Sequence, residues 1–106
     1  MNNIKSMAEL ASSNHIKVII SSVLPARDFP WRPGLEPAQK VIELNGMLEE
    51  YCSDEGHHYL DYFSHLVDDQ NGLKADYTHD GVHPNKAGYE VMAPLAKAAI
   101  DAVLND

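Results

Sequence analysis

The sequence predicts a layered α/β fold with parallel strands. Two observations carry that prediction. Helix-like and strand-like segments alternate in the order α-β-α-β-α, and the first strand-like segment is apolar on both faces. A third observation limits it: only two strands are visible, and strands buried on both faces normally sit inside larger sheets. Residues 1–106 therefore read as a single unit that forms part of a larger α/β domain.

Residues 3–13 predict the first helix, because Ile4, Met7, Ala8 and Ala11 recur at i, i+3, i+4, i+7. Asn14 is expected to stop it, since Asn tolerates a left-handed helix end. Residues 16–23 (Ile-Lys-Val-Ile-Ile-Ser-Ser-Val) are β-branched and nearly continuous in apolarity, which suits a strand covered on both sides. Residues 24–37 form a loop, because Pro25, Pro30, Pro33 and Pro37 remove donors and fix φ. Residues 37–53 predict a second helix, opened by Pro37 and striped by Val41, Leu44, Leu48 and Tyr51, with Gly56 as the break. Residues 58–63 predict a second strand. Residues 64–84 are mostly irregular, with one helical turn expected over 64–67. Asn85 is expected to cap a last helix running to Leu104, along which Val91, Leu95, Ala99 and Val103 share a face. Pro94 lies inside that helix and is expected to kink it.

The net charge of −8 argues against a nucleic-acid backbone partner and against electrostatic anchoring on anionic lipid. No apolar run approaches the roughly 20 residues that span a bilayer. Cys52 is the single cysteine, so no internal disulfide forms, and its place beside the helix stripe makes it a small core residue. The opening Met-Asn-Asn-Ile-Lys is not followed by the apolar stretch of a signal peptide.

The chemistry-bearing segment is Asp80-Gly81-Val82-His83-Pro84-Asn85, at a loop-to-helix junction. An Asp and a His three residues apart on a loop can meet side chain to side chain. The carboxylate then accepts from imidazole Nδ1–H, which leaves Nε2 as a base. Gly81 permits the tight turn, and Pro84 biases His83 toward an extended backbone.

This string, with Ala87-Gly88-Tyr89 after it, resembles the last block of the SGNH (GDSL-like) hydrolases. The strand leading into Ser22-Val23-Leu24-Pro25, then Trp31-Arg32-Pro33, a helix and Leu60-Asp61-Tyr62, is similar to the second half of that fold. Platelet-activating factor acetylhydrolases and bacterial carbohydrate esterases belong to the same group. The resemblance implies a partial three-layer α/β/α sandwich of the flavodoxin-like SGNH type, contributing two parallel strands and three main helices to a five-stranded sheet. It implies acyl-ester hydrolysis through an acyl-serine without any cofactor, on a small acyl ester or an acetylated carbohydrate or lipid. Asp80 would orient His83, and His83 would serve as general base. Trp31 and Arg32 would border the substrate cleft on the proline-rich loop.

The Gly-Asp-Ser block with the family's nucleophile, and the blocks that supply its oxyanion hole, do not occur in these 106 residues. The chain is expected to be the C-terminal portion of such a hydrolase and close to inactive alone. A non-catalytic binding or assembly module derived from the same fold is the alternative reading. A metal-dependent hydrolase using His79, Asp80 and His83 is a third, disfavoured because Gly81 and Pro84 keep the two rings off one helical face. Neither Ser21 nor Ser22 sits in a nucleophile elbow. His57 and His58 read as a strand entrance and Asp61 as a strand-end structural residue, while Glu49, Glu50, Asp68 and Asp69 read as solvated charge. Finally, residues 16–23 offer an apolar edge whose only charge is Lys17, so a homodimer or higher self-association through that edge is expected.

Overall fold

A computed structural model describes residues 1–28, 34 and 37–105. Helix α1 spans Asn2–Ser13, strand β1 Ile19–Ser21, helix α2 Ala38–Glu55, strand β2 His58–Leu60, the short helix α3 Phe63–Leu66 and helix α4 Lys86–Leu104, with a 3-10 turn at Ala75–Tyr77 before α4. The strands pair in parallel with Ile19 opposite His58, Ile20 opposite Tyr59 and Ser21 opposite Leu60. A parallel pair needs a crossover element, and α2 supplies it.

One face of the pair carries the core. Ala8 of α1, Ile20 of β1 and Leu48 and Cys52 of α2 are buried together, with Ile4, Val18, Leu44 and Tyr59 packed around them. Helix α4 packs on both strands without joining that cluster, as the layer on the other face. The result is the expected α/β/α layering over two strands.

Element ends differ from the sequence reading for local reasons. The first helix ends at Ser13, but Asn14 is not the left-handed residue. Its side-chain amide donates to the Leu10 carbonyl at 2.8 Å, and the positive φ (59°) falls on His15 instead. At the end of α2, Gly56 does take the left-handed conformation, with φ 74°. The first strand is three residues rather than eight. Ladder bonds form only where β2 lies alongside, and Ile16, Lys17 and Val23 are exposed beyond it. The second strand stops at Leu60 because polar side chains pull the next residues into a helical turn. Ser22 Oγ accepts from the Tyr62 and Phe63 N–H groups, each at 3.0 Å, and Asp61 Oδ1 accepts from Ser64 N–H at 3.0 Å. Helix α4 runs as continuous helix across Pro94.

Backbone direction on β1 alternates. Val18 O accepts from His58 N–H and Ser22 N–H donates to Leu60 O, so Val18, Ile20 and Ser22 face β2. Ile19 and Ser21 aim their peptide groups the other way. Among the described residues no strand pairs with that side.

Candidate active site

The segment before α4 folds onto itself. Asp80 Oδ1 accepts from the backbone N–H groups of Val82 and His83, both at 2.8 Å. That wraps the chain around the carboxylate and brings Asp80 Oδ2 to 2.7 Å from His83 Nδ1. The reversal needs a residue with positive φ, and Gly81 takes it at 84°. With the carboxylate on Nδ1, the imidazole carries its proton there and its basic lone pair on Nε2. These bonds to His83 N–H, His83 Nδ1 and Val82 N–H hold the Asp80 carboxyl well below the usual carboxylate range. Asp80 therefore stays anionic at neutral pH. The side chains remain open to solvent, 71% exposed for His83 and 43% for Asp80.

The turn is braced from behind. Thr78, 8% exposed, bonds through Oγ1 to the His83 carbonyl at 2.7 Å and accepts from Gly81 N–H at 3.0 Å. Asn85 joins the turn to α4: its Oδ1 accepts from Gly88 N–H at 3.0 Å, its N–H donates to Tyr77 O at 2.8 Å and its amide donates to Asp76 O at 3.2 Å. Gly88 lets the first turn of α4 lie against the 3-10 turn, since a Cβ there would stand 2.8 Å from Tyr77 O.

Helix α4 carries the pair away from the strand entrances. The C-terminal part of α4 and the residues leading into β1 and β2 line one cavity of about 530 Å³, together with His15, Lys17, His57 and His58. That cavity lies at the strand entrances and contains neither Asp80 nor His83. Helix α4 has 19 residues. At 1.5 Å per residue its N-terminus is about 28 Å away, toward the carboxyl ends of the strands, where such sheets bind ligands.

A GDSL-like lipase/acylhydrolase family profile matches residues 1–91. The chain belongs to that family. Among solved structures it is similar to a Bacteroides fragilis protein assigned as an acylhydrolase, with 44% identity and a TM-score of 0.93, over 97% of this chain and 50% of that one. It is similar also to a GDSL-like lipase of Bacteroides thetaiotaomicron, with 45% identity and a TM-score of 0.90, over 95% of this chain and 50% of that one. A lipolytic protein of the G-D-S-L family from Desulfitobacterium hafniense follows at 26% identity and a TM-score of 0.74, over 92% of this chain and 52% of that one. The chain thus spans about half the length of these relatives. No match is found among curated proteins.

Within this member of the family, Asp80 and His83 are brought together, whereas His79 is not drawn in with them. Among the described residues no three His, Cys, Asp or Glu side chains converge to hold a metal ion. Ser22 is buried and its oxygen is engaged by Tyr62 and Phe63 N–H, a structural post rather than a nucleophile. Trp31 and Arg32 lie outside the described residues.

Sequence reasoning missed the roles of Thr78 and Asn45, as it did the structural role of Ser22. Thr78 carried only the general signal of a loop threonine, whose hydroxyl can bond back to nearby backbone. Asn45 sits on the buried face of α2 and clamps Val23, accepting from its N–H at 2.7 Å and donating to its carbonyl at 3.0 Å. Its signal is a polar residue at a core position between Val41 and Leu48.

Proposed function

We propose that this chain supplies the acid–base half of an acyl-ester hydrolase site. The 2.7 Å contact between Asp80 Oδ2 and His83 Nδ1 carries the reading. A serine hydroxyl, brought by a Gly-Asp-Ser segment not present in these 106 residues, would attack the ester carbonyl. His83 Nε2 would take the serine proton and pass it to the departing alkoxide, leaving an acyl-serine. It would then take a proton from water as that water attacks the acyl carbon, and return it to serine. Asp80 keeps the imidazole in the required tautomer and stabilises the imidazolium. The chemistry needs no cofactor. Family membership and the lipase and acylhydrolase relatives support the reaction class. The acetyl, carbohydrate or lipid nature of the substrate is the finer part of the proposal.

The test joins the uncovered half of the Bacteroides fragilis acylhydrolase ahead of residue 1 and measures p-nitrophenyl acetate hydrolysis. General acid–base catalysis contributes about 10²- to 10⁴-fold, so His83→Ala is expected to lower kcat/KM by about 10³-fold. The 106-residue chain alone is expected to show only trace turnover. An active chimera indifferent to His83→Ala would overturn the role of His83. Robust turnover by the chain alone, lost in His83→Ala, would overturn the half-site. A folded but inactive chimera would favour a binding or assembly module.

A further inference from the structure

We infer that Thr78 is a positioning residue whose hydroxyl holds the 80–83 turn in the shape that lets Asp80 orient His83. The inference rests on the proposed role of that pair.

The geometry shows why a hydroxyl is needed there. Three atoms surround Thr78 Oγ1: Gly81 N at 3.0 Å, the His83 carbonyl oxygen at 2.7 Å and Asp80 Oδ1 at 3.3 Å. A hydroxyl has one proton to donate. The shorter contact takes it, so Thr78 donates to His83 O and accepts from Gly81 N–H. One side chain therefore ties the residue that makes the reversal to the residue that carries the imidazole. Thr78 is itself fixed, because it forms an antiparallel bridge with Pro84 across the mouth of the turn. Its β-branch restricts χ1, so the hydroxyl arrives already aimed. It is buried, whereas Asp80 and His83 are exposed.

Without the hydroxyl, Gly81 N–H and His83 C=O lose their shared partner, and Val82 N–H, His83 N–H and His83 Nδ1 are left on the exposed Asp80 carboxylate. The Asp80–His83 contact then competes with water. The expected consequence is a change in the state of two groups that Thr78 does not ionise.

The experiment compares wild type, Thr78→Val and Thr78→Ser in the 106-residue chain, using imidazole ¹⁵N shifts and the carboxyl ¹³C titration of Asp80. Wild type should show His83 protonated on Nδ1, and an Asp80 midpoint well below the ordinary value. Thr78→Val keeps the branched shape without the hydroxyl. It should lose much of the Nδ1–H form and move the Asp80 midpoint upward. Thr78→Ser should retain both signatures. If folded Thr78→Val kept the wild-type tautomer and Asp80 midpoint and lost only thermal stability, Thr78 would be merely structural and the inference would fail. Should Thr78→Val not fold, Thr78→Ser decides: wild-type signatures support the hydroxyl, and their loss in a folded protein refutes it. An Nε2–H tautomer in wild type would instead sink the orienting role of Asp80, a failure distinct from that of Thr78.

Discussion

Residues 78–88 bond mainly to one another and to Asp76 and Tyr77, just ahead of them, whereas β1 depends on partners far along the chain. In the first region the hydroxyl of Thr78, the carboxylate of Asp80 and the amide of Asn85 satisfy backbone groups within nine residues. In the second, Ile19 meets His58 only after the whole of α2, and the other side of β1 has no strand among the described residues. The difference teaches that the Asp80–His83 geometry is a local property of a short segment, while the sheet beneath it is a collective one. Damage to one region should leave the other recognisable, and the predictions probe that separation.

The largest effect is expected from Leu48→Ala. Leu48 is 1% exposed in the cluster shared by α1, α2 and β1. Its truncation should cost about 2–5 kcal/mol, read from urea unfolding. In whatever fraction stays folded, the His83 tautomer should be unchanged. Its loss there would show that the turn relies on the core. Gly88→Ala is next. The added Cβ would meet Tyr77 O at 2.8 Å and Pro84 Cβ at 3.0 Å, so α4 must back away from the 3-10 turn. Overpacking of this kind costs about 1–3 kcal/mol. It should also disturb the Nδ1–H signal of His83, which Leu48→Ala leaves alone.

Acid should act through the turn. The folded Asp80 carboxyl lies below its unfolded value, so the unfolded chain binds more protons in the acid range and stability drops there as pH is lowered. The contribution is complete well above the unfolded midpoint, near pH 4 for an ordinary Asp. It is lost as pH falls from there through the folded midpoint. Asp80→Asn should flatten this acid limb in urea unfolding measured at successive pH values. An acid limb of unchanged slope would mean that other carboxylates set it.

The smallest energetic effect per chain concerns the edge of β1. We propose that its open side pairs with a second copy, as the apolar run at 16–23 suggests. A groove of about 180 Å³ between α1 and residues 18–20 borders that edge. Sedimentation at micromolar concentration should show association that Ser21→Pro weakens. Proline there removes an N–H on the open side and leaves the β2 ladder intact. A folded monomer under all conditions would refute the pairing.

Much of this molecule was legible in advance. Asn85, Gly81 and Gly56 announce a cap, a reversal and a helix end through properties that belong to single residue types, and the structure uses them so. Asp80 and His83 were legible because three residues of loop suffice to join them. Strand length was not, because a β-branched run becomes strand only as far as its neighbour reaches, and that neighbour is 39 positions away. The Ser22 post and the Asn45 clamp escaped for the same reason: their partners, at 62–63 and 23, are remote in sequence. Thr78 is the exception, a local contact hidden because threonine in a loop commonly signifies nothing.

The side of β1 that no strand pairs among the described residues has a colloidal consequence. Each copy carries a net charge of −8, so two approaching edges repel before they can pair. Salt shortens the reach of that repulsion to about 8 Å at physiological strength, and near the isoelectric point that the composition implies, about pH 5.0, the net charge falls away. On the proposed pairing, long-range charge opposes association at that edge. Dilute buffer at neutral pH should keep the chains apart, and moderate salt or mild acid should bring them together.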